Sequence, residues 1–385
     1  MGLMMKKGVV TDADGHEALP DAKIQIVEVR QPDGVTARAI HDLSVFPRLA
    51  VGDTVLMNTT AEELQLGTGG YHFIHAVLEP SMEAAEPGPG PGHIMKLRYT
   101  SLQRAVLAAE EPDSPHHETL AGRRTLEGMP VLLGELHSML PVAVCWLRHL
   151  ANQAQPGTKE LRIAYIMTDG GALPLSISLH AARLCGLGWL AGTITYGHAY
   201  GGDLEAVNKY TALLAARHIL QADIAIVIMG PGIVGTDTVY GYSGMEVGEL
   251  INAVHALGGT PVAIPRISFA DPREQHRGIS RHTLTALAVA ALAPCSLPLP
   301  LLRDPGKIML LKRQMQQYEL DRLHRVRWTE APSVDELDAA LELYGRPVTS
   351  MGRGLREDPS FFAGVCGAAS VAYRQCLYGQ DRQDE

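Results

Sequence analysis

The sequence predicts a doubly wound α/β fold with a mostly parallel sheet, preceded by a small β-rich, barrel-like module. Three observations carry that prediction. Beyond Gly128, apolar runs of strand length alternate with helix-length amphipathic segments, the punctuation of βαβ units. Residues 23–78 hold only short β-rich runs separated by turn residues. Between the two parts, residues 79–92 (EPSMEAAEPGPGPG) alternate Pro and Gly with charge, which sustains neither helix nor sheet and marks a linker. The expected division is a module over 1–100, linker included, and an α/β Rossmann-like domain over 101–385.

In the first part, KIQIVEVR, VTARAIHD, VGDTVLMN and YHFIHAVLE each read as a strand. Leu66-Gly67-Thr68-Gly69-Gly70 is either a turn between strands or a set of backbone amides open to a ligand. HIMKLRY, from His93, alternates and can return a strand to the module. In the second part, MPVLLG, LRIAYIMTDGG and residues 193–196 open successive strand–loop–helix units. Residues 193–238 read as strand, glycine loop, helix, strand and second glycine loop, with Asp203 and Glu205 feeding the start of the helix. Further on come a strand at 261–265, a helix from Ser280 to about Leu292, the apolar LPLPLL, the helical LKRQMQQYEL, the strand VRWTE, the helix VDELDAALELYG and a last helix from about Asp358.

With 385 residues, 46% of them hydrophobic, the chain can bury a large core. Its formal charge of −9 and the lack of an aromatic-interleaved basic run argue against nucleic acid as a partner. The start has two lysines but no apolar core of a secretory signal, and no apolar run approaches the roughly 20 residues of a membrane span. A cytoplasmic protein without a membrane partner is expected. The five cysteines, scattered and without CxxC spacing, suit reduced thiols rather than disulfides or structural zinc. A homodimer or other homo-oligomer is the default for a chain of this size.

Five loops that follow strands collect polar residues, and in a parallel sheet they share one edge. They hold Glu135 and His137; Asp169; His198, Asp203 and Glu205; residues 230–238; and residues 266–280. Asp169 suits a general base or a turn. Asp203 and Glu205, with His198, offer oxygen and nitrogen ligands to a divalent cation, but equally suit a helix N-cap and first turn. Gly230, Gly232 and Gly235 fit GxGxxG after a strand, which raises a dinucleotide; no helix follows at once, so phosphate or carboxylate held by this loop and Thr236 is the plainer reading. Residues 266–282 carry four arginines and two histidines, a local cationic patch in an acidic chain. Arg273 can bind an anion there, or pair internally with Asp271.

GTITYGHAYGGDLEAVN, GPGIVGT, RISFADPR with HRGIS and HTLTAL, VTSMGRG, LGTGG and MTDGGALP together resemble the bacterial DUF3866 family over nearly the full length. The resemblance brings no established reaction, substrate or cofactor. Two positions depart from its pattern: Tyr196 replaces a small residue, and Arg281 precedes His282 where a second histidine is usual.

The reading that follows is an enzyme acting on a small anionic molecule by hydrolysis or group transfer. Residues 230–235, Thr236 and Arg273 hold the anion, Asp169, His198 or His276 moves protons, and a divalent cation on Asp203 or Glu205 is optional. NAD(P)-dependent oxidoreduction and non-catalytic metabolite sensing are the alternatives.

Overall fold

The computed structural model describes residues 2–13, 23–44, 46–66, 69–81, 92–154 and 160–379. Gly67, Thr68 and most of the expected linker lie outside the described residues. The chain divides into two compact units, Met1–Gly90 with Ser176–Ala182, and Pro91–Leu175 with Arg183–Glu385.

The first unit is a closed barrel of β1 (Met5–Asp12), β2 (Ile24–Arg30), β3 (Thr36–Asp42), β4 (Thr54–Asn58) and β5 (His72–Glu79), in the order β1-β2-β3-β5-β4, with a short α1 (Thr60–Glu63). Strand β1 was not apparent from sequence. Inward residues such as Val10, Val27, Val29, Ala39, Val55 and Met57 fill the barrel, as the period of two requires. Gly8 permits the β1–β2 approach, because a side chain there would run into Val29 and the Arg30 carbonyl.

In the second unit, β6 (Ile94–Lys96) pairs antiparallel with β7 (Arg104–Val106), so the run from His93 forms a hairpin of its own rather than a sixth barrel strand. The short α2 (His117–Ala121) follows. The sheet is built from β8 (Pro130–Gly134), β9 (Ile163–Met167), β10 (Gly192–Tyr196), β11 (Leu204–Ala206), β12 (Ile224–Ile228), β13 (Thr260–Ala263), β16 (Ser296–Leu301) and β17 (Arg325–Glu330). A small hairpin, β14 (Ile267–Ser268) with β15 (Gly278–Ile279), interrupts the run after β13. The eight strands lie in the order β11-β10-β9-β12-β8-β13-β16-β17, with every pairing parallel.

Strands β8, β9 and β12 are buried at all five positions each, which explains their continuous apolar sequences: a parallel strand covered on both faces has no solvent side. Val131, Leu133, Ala164, Ile166, Ala225 and Val227 pack into one core with residues of α5 (Lys209–His218) and α6 (Glu246–Ala256). The alternate residues point the other way, toward the face where α3 (Met139–Gln153) and the long α11 (Pro359–Tyr378) pack on each other. The remaining helices are α4 (Leu179–Gly186), α7 (Arg281–Thr285), α8 (Pro305–Gln317), α9 (Leu320–Leu323) and α10 (Val334–Glu342). Ser280 caps α7 as its sequence suggests, but a π-turn over Ala286–Ala290 ends that segment short of Leu292. Among the described residues, no helix is long and apolar enough to cross a membrane.

Asp203 and Glu205 do not begin a helix. They flank and enter the edge strand β11, and α5 starts at Lys209 behind Asn208, which makes a full capping box with Thr211. Asn is a strong N-cap because its side-chain oxygen takes the orphan amides of the first turn.

Candidate functional site

Register brings the strand ends level: Ile228 lies opposite both Gly134 and Met167, and Thr195 opposite Met167. Chain direction then creates two openings at that edge. Connections leave β9 toward β10 and β12 toward β13, so neighbouring β9 and β12 diverge; so do β8 and β13. Such divergence leaves a crevice outside the carboxyl ends of the strands.

At the β9–β12 crevice, Thr168 donates its hydroxyl to Glu246 at 2.7 Å. Burial pushes the Glu246 carboxyl up to about 7, with the Thr168 hydrogen bond and Lys209 opposing. Asp169 lies beside it and accepts the backbone N–H of His198 at 2.5 Å. Gly197 has φ +65°, and a side chain there would strike the Asp169 carboxylate, so the chain must carry glycine to seat that acid. The His198 ring is held in turn: its Nδ1 accepts Leu97 N–H at 3.0 Å, and Nε2 lies 3.3 Å from the Arg98 guanidinium.

The expected metal pair is arranged otherwise. Asp203 accepts both the N–H and the hydroxyl of Thr193 at 2.8 Å. Glu205 accepts Gly201 N–H at 2.6 Å and Thr195 Oγ1 at 2.8 Å, and pairs with Lys96 at 3.1 Å. These carboxylates stitch β10, β11 and the β6–β7 hairpin together, and Glu205 has both of its oxygens engaged in doing so. No group of three or more His, Cys, Asp or Glu able to hold a metal occurs among the described residues.

At the β8–β13 crevice the groups gather differently. A cavity of about 540 Å³ is lined by residues 233–237 and by Arg266, Arg273, Gln275, His276, His282 and Met351. Gly235, Thr236, Arg273 and His276 thus meet as sequence suggested. Gly230 and Gly232 do not line it. Gly230 gives room to Met167 and Leu173, and Gly232, at φ +101°, makes the turn. Helix α6 starts only after a tight turn closed by Thr236 N–H to the Gly241 carbonyl at 2.6 Å, so no helix N-terminus follows the glycines at once.

Arg273 commits Nε and Nη2 to Asp271, at 3.0 and 2.9 Å, so the internal pairing is what the structure adopts. The buried cation of this patch is Arg266, 4% exposed, just past the end of β13, the strand that follows the glycine loop. It lies 3.6 Å from Glu135 and 3.8 Å from Asp271, and its Nη2 has no hydrogen-bond partner. Burial raises the Glu135 carboxyl, with Arg266 and Thr283 pulling it back. Burial also opposes ionised Asp271, but the hydrogen bonds from Arg273 and Arg353 hold its pKa far below the usual range.

His282, 8% exposed, stacks on Tyr242 at 3.9 Å between ring centroids, and both of its ring nitrogens are unpartnered. Tyr242 clamps it further by donating its hydroxyl to the His282 carbonyl. Ser280 Oγ accepts His282 N–H and lies 2.8 Å from His276 Nδ1. Side chain Gln314 braces this segment, accepting Ile279 N–H and donating to the Arg277 and Ile279 carbonyls.

The profile of DUF3866, described as a protein of unknown function, matches residues 38–370. The chain belongs to the DUF3866 family. No curated protein and no solved structure matches it.

In this DUF3866 chain, burial and the neighbouring arginines lower His276 to about 3 and His282 to about 4. Both stay neutral at pH 7. Unfolded histidines titrate near 6.5, so on acidification the unfolded chain takes up protons first. The stabilising contribution is complete above about 6.5 and drains away toward the folded values, at about 1–2 kcal/mol per ring by pH 5. Glu246 and Glu135, raised, act with the opposite sign but are common to wild type and variant. Urea unfolding at pH 7 and pH 5 should therefore show His276→Gln/His282→Asn losing less stability on acidification than wild-type DUF3866 protein. Equal losses would contradict the assigned neutrality.

Proposed function

We propose that this protein is a cytoplasmic, homo-oligomeric enzyme that binds a small phosphate- or carboxylate-bearing molecule at the β8–β13 crevice and acts on it by hydrolysis or group transfer. One observation supports this above the others: Arg266 Nη2, 3.8 Å from Asp271, and both ring nitrogens of His282 are buried without hydrogen-bond partners beside the 540 Å³ cavity. An unsatisfied buried polar group costs about 1–3 kcal/mol, and acceptor oxygens of an anion would relieve Arg266 Nη2 and the one His282 nitrogen that carries a proton. In this reading Arg266 and His282 hold the anion, and the backbone at Gly235 and Thr236 borders it. His276, which lines the cavity, offers a ring N–H to charge that develops during reaction, a role a neutral imidazole fills.

Asp169 and His198 stay outside this assignment, since neither borders the cavity. No cation enters it either, because neither Asp203 nor Glu205 borders the cavity. The acidic chain, with Arg266 and Arg273 lining this one cavity, favours a small anion over nucleic acid or membrane.

A thermal-shift screen against inorganic phosphate, sugar phosphates, nucleotides and carboxylates tests the reading. A ligand at 100 times its Kd adds about 2.7 kcal/mol. A rise in Tm that His282→Ala abolishes, with turnover of the bound compound, is the expected result. Binding without turnover moves the protein to a sensing role; no shift with any anion sinks the proposal.

A further inference from the structure

The cavity has a second wall that the proposed function leaves unused. Besides the arginines and histidines, Ile233, Val234 and Met351 line it, and Val234 and Met351 are 68% and 49% exposed. Val239 and Tyr240, on the same loop, add exposed apolar surface. Apolar groups left uncovered beside a pocket point to something that covers them.

This wall is built, not loose. Val234 is pinned by exchange with Ser243, its carbonyl accepting Ser243 N–H at 2.9 Å and its N–H reaching Ser243 Oγ at 3.2 Å. Arg281 holds the loop from the other side through the Asp237 carbonyl at 3.2 Å. Met351 sits at φ +50°, in the left-handed region that an unbranched L residue enters at a cost, at the tip of a turn closed between Ser350 and Arg353. Arg353 anchors that turn to Asp271 at 2.9 Å, the same carboxylate that Arg273 holds. Strain kept at the rim of a pocket by a buried ion pair is the pattern of a ligand clamp.

We infer that the ligand is amphipathic: an anionic head against Arg266 and His282, and an apolar body, alkyl or aromatic, against Val234 and Met351. Sugar phosphates and bare inorganic anions are then poor ligands, and acyl or aryl carboxylates and phosphoesters good ones. The inference rests on the proposed function, whose anion site supplies the head.

Calorimetric titration of the full chain with inorganic phosphate, butyl phosphate and hexyl phosphate, and in parallel acetate, butyrate and hexanoate, tests it. The series that binds identifies the head. Affinity should rise about two- to fourfold per added methylene, the gain that methylene burial gives. Val234→Ser/Met351→Ser changes only half-exposed or exposed side chains, and should flatten that slope while leaving phosphate or acetate affinity unchanged. Short anions that bind with no rise along either series overturn the inference and leave the proposed function standing. A slope that persists in the double variant places the tail elsewhere and also overturns it. If no member binds, the proposed function fails and the inference with it.

Discussion

Lys96→Met should destabilise the second unit by about 3–5 kcal/mol, measured by urea unfolding at pH 7. Lys96 is 0% exposed, with Nζ 2.9 Å from the Ala199 carbonyl and 3.1 Å from Glu205. Removing one partner of a buried pair strands the other charge, which costs far more than the pair itself contributes. Burial already raises the Glu205 carboxyl, with Lys96 as the first opposing influence. Without Lys96, Glu205 must either take up a proton or face the β10–β11 edge unpaired. Lys96→Met/Glu205→Gln should accordingly recover most of the loss. A single variant within 1 kcal/mol of wild type would show that the pair is not what fixes the hairpin.

Asp271→Asn should lower stability by a similar 3–5 kcal/mol and, on the proposed function, raise anion affinity. Asp271 is buried between Arg266, Arg273 and Arg353, at 3.8, 2.9 and 2.9 Å. An amide cannot balance three guanidinium groups, so the variant keeps like charges together with one counterion fewer. The same surplus makes the cavity more attractive to phosphate, by roughly tenfold at low salt and less as ionic strength screens it. Titration with inorganic phosphate beside urea unfolding reads both effects. A fall in both would show that Asp271 shapes the cavity more than it neutralises it.

The two outcomes bear on what the sequence could disclose. The central strands were legible because burial on both faces leaves them continuously apolar, and helix-length spacers between them imply parallel pairing and therefore loops at one edge. That β12 inserts between β9 and β8 was not legible, since nothing local in IAIVI names its neighbours. Strand β11 was misread because three residues are too few to show a period, and Asp and Glu near an apolar helix resemble a cap. Gly235 and Thr236 were singled out from the glycine motif and Arg273 and His276 from the basic run, and all four line the cavity, but composition alone does not say which arginine is enclosed. Only folding distinguishes Arg266, enclosed near Glu135, from Arg273, half exposed on Asp271. His282 owes its burial to Tyr242, forty positions away in the chain, a contact no motif announces.

The sheet order also sets a schedule for synthesis. Both neighbours of β8, the strands β12 and β13, are made later, at Ile224–Ile228 and Thr260–Ala263. A ribosome adding roughly 5–20 residues per second leaves the apolar β8 without its partners for about 5–20 seconds. Throughout that interval its unpaired edges can template association with another chain. Nascent chains halted before Ile224 should be the ones that most need a chaperone, and those released past Tyr378, with α11 in place over that face, should not.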